Sequence, residues 1–190
     1  MHMKILVFDN YDSFTYNIVH ALHELGETPI VKRNDQITLD EIEEYDKIVV
    51  SPGPGIPEEA GLLMPMLGRY AEKKPILGIC LGHQALALNF GASLYNLPEV
   101  YHGVATPVKI EREDYLFKNI PEDFTVGRYH SWVVDTKNFP NDQLEILATD
   151  SQGMIMALRH KKYDIRGVQF HPESVLTPDG IKLIENWLKH

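Results

Sequence analysis

Over its first half the chain alternates short unbroken apolar runs with longer stretches of mixed polarity. Lys4–Asp9 reads as a buried strand, ended by the turn residues Asn10, Tyr11, Asp12 and Ser13. A helix is predicted from Phe14 to Leu25, stopped by Gly26, the residue type that most readily closes a helix C-terminus. Thr28–Lys32 follows as a second strand. Thr38 then caps a short helix to Glu44, with Glu41 three residues on to complete a capping box. Lys47–Ser51 is a third strand, Ala60–Glu72 a second long helix, Pro75–Ile79 a fourth strand and Leu81–Phe90 the helix after it. Strands and helices alternating at this spacing predict a parallel sheet covered on both faces.

From about Ala92 the texture changes to short β-rich pieces: Val104–Ile110, Phe124–Val126, Trp132–Val134, Leu144–Thr149, Met154–Arg159 and a buried strand from Ile165 to Phe170. Their closeness predicts antiparallel hairpins added to the main sheet. A last helix runs from Asp179 to Leu188. No repeat, low-complexity tract or linker divides the chain, so residues 1–190 are expected to form one domain. The fold class expected is α/β, a mostly parallel, doubly wound open sheet with added antiparallel hairpins in its second half.

Composition narrows the function. With 27 acidic against 18 basic side chains the net charge is −9, a poor match to a phosphate backbone, so no nucleic-acid partner is expected. The apolar runs are strand-length, so no membrane partner is expected either. No basic-plus-apolar leader precedes the first strand, and Met1-His2-Met3 reads as a short extension ahead of a natural start at Met3. A single cysteine excludes an internal disulfide framework and suits a reducing cytoplasm. Cys80-x-x-His83 has metal-like spacing, but no second ligand pair accompanies it, so no metal is expected. His20 and His23, three apart, read as a solvated helix face.

That cysteine sits where an α/β enzyme places a nucleophile. Gly78 and Gly82 flank Cys80 at minus two and plus two, the pattern of a sharp strand-to-helix turn in which neighbouring backbone crowds the nucleophile. The helix beginning at Leu81 aims its free N–H groups at the sulfur and favours thiolate. By itself the segment would equally suit a buried core cysteine. The strand into His171-Pro172-Glu173 tips the balance: a Cys–His pair needs a third group to hold the imidazole, and Glu173 stands two residues away across a stiffening proline. Between them, Ser51-Pro52-Gly53-Pro54-Gly55-Ile56-Pro57 follows the third strand. Its prolines fix the backbone and its glycines bare N–H groups, which suits an oxyanion hole with Gly55 and Leu81 as donors. Ligands of open parallel sheets bind beyond the carboxyl ends of the strands, and Ser51, Cys80 and His171 all lie there.

Together these loops resemble the class I, or triad, glutamine amidotransferases. The matching stretches are Gly78-Ile79-Cys80-Leu81-Gly82-His83-Gln84, Ser51-Pro52-Gly53-Pro54-Gly55 and Val168-Gln169-Phe170-His171-Pro172-Glu173-Ser174. The resemblance covers the whole chain and is closest to the glutaminase subunits (component II) of anthranilate synthase and aminodeoxychorismate synthase. Asp9–Thr15, Lys32–Asp35 and Arg128–Ser131 are further features of that pair, and the anthranilate branch is favoured on Val100–Thr106 and Ile184–Trp187. The resemblance implies a flavodoxin-like sheet and attack by Cys80 on the side-chain amide of glutamine. It implies proton transfer by His171, oriented by Glu173, and ammonia passed to a chorismate-binding synthase subunit. It implies a glutamine pocket of Gly53, Pro54, Gly55, Leu81, Gln84 and the backbone of Ser131 and Trp132, with no cofactor in this chain and magnesium only in the partner. Gln84 lies one helical turn beyond Cys80, so its amide can face the same pocket.

The chain departs from the family at Trp132, where leucine is common, and at His102-Gly103-Val104-Ala105-Thr106, where the family has His-Gly-Lys-Thr-Ser. A flavodoxin-like nucleotide binder is the main rival, but no glycine-rich fingerprint follows the first strand. A cysteine peptidase is the other; Gln84 and Ser131 argue against it.

Overall fold

A computed structural model describes residues 2–190; Met1, the first residue of the expected extension, lies outside them. Eleven strands and four helices follow in the order β1 (Ile5–Asp9), α1 (Thr15–Glu24), β2 (Ile30–Arg33), β3 (Lys47–Val50), α2 (Leu63–Tyr70), β4 (Ile76–Ile79), α3 (Leu81–Asn89), β5 (Leu94–Asn96), β6 (Val104–Ile110), β7 (Asp123–Arg128), β8 (Trp132–Val134), β9 (Leu144–Thr149), β10 (Ile155–His160), β11 (Ile165–Val168) and α4 (Gly180–Lys189). Nine strands form one sheet in the order β2-β1-β3-β4-β11-β10-β9-β6-β7. Neighbours from β2 through β11 are parallel. Those from β11 to β7 are antiparallel. The expected division between a parallel first half and added antiparallel strands is therefore present within one continuous sheet.

Alternation along the strands sends side chains to two separate cores. Leu6 and Phe8 of β1, Ile48 and Val50 of β3 and Ile76 of β4 pack with α2 and α3. Ile5, Val7, Val49 and Leu77, their neighbours in sequence, pack on the other face with Ile18 and Leu22 of α1 and with Leu183, Ile184 and Trp187 of α4. This two-residue period on strands buried on both sides is why they read as unbroken apolar runs.

Gly26 ends α1 with φ +87°, its N–H donating to His23 C=O while Glu27 N–H donates to Leu22 C=O, the paired bonds of a Schellman close. The Thr38–Glu41 capping box is formed, with Thr38 N–H on the Glu41 carboxylate and Glu41 N–H on the Thr38 hydroxyl, but the turn it opens (Glu41–Glu44) is a 3₁₀ helix. Two expectations are corrected. The helix predicted from Ala60 begins only at Leu63, because Gly61 takes φ +54° and Pro65, which has no N–H, fits only in a first turn. Trp132–Val134 leaves the main sheet to pair with Leu94–Asn96 in a separate two-stranded ribbon, and β5 carried no sequence signal of its own.

The far end of α4 is anchored to the amino end of a central strand. Lys47, at the start of β3, donates its Nζ to the carbonyls of Trp187 (2.9 Å) and Leu188 (3.1 Å), placing a cation on the last turn's free acceptors.

Candidate active site

The strand order places the carboxyl ends of β1, β3, β4 and β11 side by side, and each delivers a loop to the same edge. Pairing in register continues one step past β4, where Cys80 N–H donates to Val168 C=O at 2.8 Å. Cys80 then turns into α3 with φ +54° and ψ −101°, a conformation costly for a residue with a side chain and one that a nucleophile elbow requires. The two flanking glycines are needed for contact reasons. A Cβ on Gly78 would lie 2.6 Å from the Gly82 carbonyl, and one on Gly82 would lie 2.7 Å from the Val50 carbonyl oxygen. Leu81 is the first residue of α3, so its N–H is one of those no helical carbonyl can satisfy.

The loop after β3 is stitched to the loop after β1. Asn10 donates from its backbone N–H to Ser51 Oγ (2.8 Å) and from Nδ2 to Ser51 C=O (2.9 Å), and accepts from Asn34 Nδ2 (3.1 Å). Gly53 is wedged between Asn10 and Leu81; a Cβ there would come within 2.6 Å of Asn10 Cβ and 2.9 Å of a Leu81 methyl. The segment carrying Gly53, Pro54 and Gly55 therefore lies against the N-terminus of α3. Gly55 itself is exposed, with φ +72°.

His171 and Glu173 meet as expected. The imidazole Nδ1 is 2.7 Å from Glu173 Oε1, and the two side chains are 2% and 0% exposed. Burial alone would push the imidazole down, but the nearby Cys80 sulfur and the hydrogen bond and charge of Glu173 outweigh it and raise His171 to about 10. With Nδ1 committed to the carboxylate, the sulfur is left to the Nε2 side of the ring. Phe14, from the β1 loop, stands edge-on to the imidazole at 5.2 Å, and Tyr129 lies 4.7 Å from it on centroids. These two rings shield the base from water. Neither was singled out from the sequence, where each reads only as one aromatic residue within a longer motif. Asp12, in the same loop, has its carboxyl raised by burial, against a lowering by the Phe14 N–H and His171.

The Pro172–Pro178 segment that holds Glu173 is braced from behind by α4. Gly180 presses on Pro172 so closely that a Cβ would fall 1.7 Å from the Pro172 carbonyl oxygen. Thr177 ties the segment further, donating its hydroxyl to His171 C=O at 2.7 Å and accepting from Gly127 N–H at 2.9 Å.

On the other side of Cys80, Gln84 and Trp132 come together. Gln84 Nε2 donates to Trp132 C=O (2.9 Å) and to Gln169 Oε1 (3.2 Å), which leaves the Gln84 Oε1 as its free end. The same Trp132 carbonyl is met at 2.9 Å by His130 Nδ1. Burial and the neighbouring Arg128 charge push His130 down to about 4, so the ring is neutral; Arg128 Nε donates to its Nε2 at 3.1 Å, which fixes the proton on Nδ1. Arg128 is in turn held by Asp150 at 2.8 Å, with both side chains buried, and its guanidinium lies 3.6 Å over the Tyr101 ring. Ser131 and Trp132 are half-buried, and Ser131 C=O is occupied by Leu97 N–H at 2.7 Å. The Trp132 departure is thus accommodated: the main chain faces Gln84, whatever side chain stands there.

His83, which gave Cys80 its metal-like spacing, is buried against Gly167 of β11, and burial pushes it down to about 3. No group of three or more His, Cys, Asp or Glu able to hold a metal occurs among the described residues. No described helix is long and apolar enough to cross a membrane.

A strained cysteine at the carboxyl end of a parallel sheet, beside a buried His–Glu pair and a glycine-rich loop, defines an α/β enzyme of the cysteine-nucleophile amidase kind. Comparison with known proteins gives the family: the model described as Glutamine amidotransferase class-I matches residues 6–190, and the chain belongs to that family of triad glutaminases. It is 45% identical over 187 residues to anthranilate synthase component 2 of Porphyra purpurea, covering 97% of this chain and 98% of the other. It is 44% identical over 186 residues to aminodeoxychorismate synthase component 2 of Escherichia coli, again covering 97% and 98%. Among solved structures, a protein described as a GMP synthase subunit from Thermoplasma acidophilum superposes with a TM-score of 0.89 at 30% identity, covering 100% of this chain and 94% of that one.

Proposed function

We propose that this chain, acting as one amidotransferase domain, hydrolyses L-glutamine and hands the ammonia to a separate chorismate-binding synthase subunit. The observation that carries the reading is the strained Cys80 at the head of α3, beside the buried His171–Glu173 pair. Cys80 Sγ attacks the glutamine side-chain carbonyl and a C–S bond forms. The N–H groups of Gly55 and Leu81 hold the oxyanion, and His171 delivers a proton to the departing nitrogen as the C–N bond breaks. Ammonia leaves behind a thioester; water, deprotonated by His171, then cleaves the C–S bond to give glutamate and free Cys80. Glu173 holds the imidazole in the tautomer both steps need. Gly53, Pro54, Gln84 and the Ser131–Trp132 backbone complete the pocket. The chemistry calls for no cofactor in this chain, and a reducing cytoplasm keeps the thiol competent.

Relatives in both chorismate branches match equally well. We assign the anthranilate branch on the Val100–Thr106 and Ile184–Trp187 stretches. Partner control fits the geometry. Cys80 and His171 are only 6% and 2% exposed, so glutamine enters when a loop moves. The acidic 3₁₀ turn Pro57–Glu59 continues directly from Gly55 and offers a partner a handle on that loop.

Two assays test this. Cys80→Ala should abolish glutamine hydrolysis while, with the synthase subunit present, ammonium still supports product formation; retained glutaminase activity would sink the mechanism. Complementation of hosts that lack one or the other glutaminase decides the branch: rescue of tryptophan auxotrophy alone supports the anthranilate reading, rescue of p-aminobenzoate auxotrophy alone overturns it, and rescue of both makes the chain a subunit shared by the two synthases.

A further inference from the structure

Gln169 is wholly buried two residues before His171, and nothing in the reaction scheme above uses it. Its orientation is fixed by a line of groups that permits only one direction. The Trp132 carbonyl can only accept, so Gln84 must present Nε2 to it; the same Nε2 donates to Gln169 Oε1 at 3.2 Å. That leaves the Gln169 Nε2 facing the Cys80 sulfur, at 3.6 Å. On its other side the sulfur has the Tyr129 carbonyl at 3.9 Å, an acceptor suited to the protonated thiol.

We infer that Gln169 is a positioning residue for the nucleophile: its side-chain N–H, locked by Gln84, holds the Cys80 thiolate in the attacking direction. A donor aimed at a sulfur that becomes negative makes a charge-assisted bond, stronger than one between neutral groups. The lock begins at Asp150 and Arg128 and runs through His130, the Trp132 carbonyl and Gln84, so the groups that shape the glutamine pocket also set the thiolate's donor. The inference rests on Cys80 being the nucleophile, but alkylation reads the sulfur without glutamine turnover, so the two claims can fail separately.

The experiment compares wild type, Gln169→Met and Gln169→Glu. With one cysteine in the chain, iodoacetamide alkylation and thiolate absorbance report a single group. In Gln169→Met the alkylation rate at neutral pH should fall about tenfold, with its pH profile moved up by about one unit, because the thiolate loses one donor. In Gln169→Glu, which keeps the acceptor toward Gln84 but sets a second anion beside the sulfur, the move should be larger. kcat should fall in step while KM for glutamine stays within about twofold. Unchanged profiles in both variants with native circular dichroism would show that Gln169 only packs. A raised KM with unchanged kcat would make it a pocket residue; either result overturns the inference. Should neither variant fold, the wild-type Gln169 side-chain amide resonance decides: it should move as Cys80 titrates and stay fixed in Cys80→Ser, and a resonance indifferent to the titration refutes the proposal.

Discussion

Asp150→Asn is the sharpest perturbation the fold offers, because it changes one atom and leaves the surrounding turn intact. Asp150 Oδ1 accepts from Gln152 N–H and Met154 N–H, both at 2.9 Å, while Oδ2 alone meets Arg128 Nη1. Asparagine keeps the turn through its oxygen but sets an NH₂ group against the guanidinium. The Arg128 and Asp150 side chains are 1% and 3% exposed, so water cannot relieve the mismatch. Breaking a buried pair from one side costs about 3–5 kcal/mol. At roughly 2–4 °C per kcal/mol for a chain of this size, that is a fall in Tm of about 6–20 °C. Arg128→Met should be comparably damaging, since it leaves the carboxylate unpaired. The double variant Arg128→Met/Asp150→Asn removes both charges and should be about 2 kcal/mol or more less destabilised than the two single losses added together. Urea unfolding of the four proteins measures the cycle. A cost below about 1 kcal/mol for Asp150→Asn, or strict additivity, would refute the reasoning.

Two further outcomes follow from the site itself. His171 holds its proton more tightly in the folded chain, at about 10 against an ordinary 6.5, so the pairing stabilises the fold fully below about 6.5 and its contribution is lost as pH rises through 10. Glu173→Gln should therefore flatten stability over that window and move the alkaline limb of glutaminase activity to lower pH; an unmoved limb would mean that Glu173 does not charge the imidazole. Gly82→Ala drives a Cβ onto the Val50 backbone and should cost about 1–3 kcal/mol with a marked loss of kcat, and native activity at native Tm would show that the elbow tolerates the clash.

The sheet was legible because strands buried on both faces write unbroken apolar runs, and the turns between them carry Gly26, Thr38 and the Pro52–Pro57 loop. The placement of Cys80 in a strand-to-helix turn and the meeting of His171 with Glu173 were legible because both are written at fixed short spacing. The β5–β8 ribbon was not, since the three largely exposed residues of Leu94–Asn96 bury too little to mark a strand. Gln169 and Phe14 escaped for a different reason. Each acts through a contact across the sheet edge, Gln169 with Gln84 and Cys80, Phe14 with His171, and only the strand order brings those partners together. Gln169 did leave one trace, an uncharged polar residue in the strand run that delivers His171.

The last helix gives the active site a mechanical property. Its first residue, Gly180, is jammed on the Pro172 carbonyl, and its last turn is moored by Lys47 to the opposite end of the sheet. A helix fixed at both ends is a strut: it carries compression along its axis to the segment that holds Glu173. Between those two ends Leu183, Ile184 and Trp187 seat the helix in the core, so the packing that closes this face of the sheet also sets where the Glu173 segment sits.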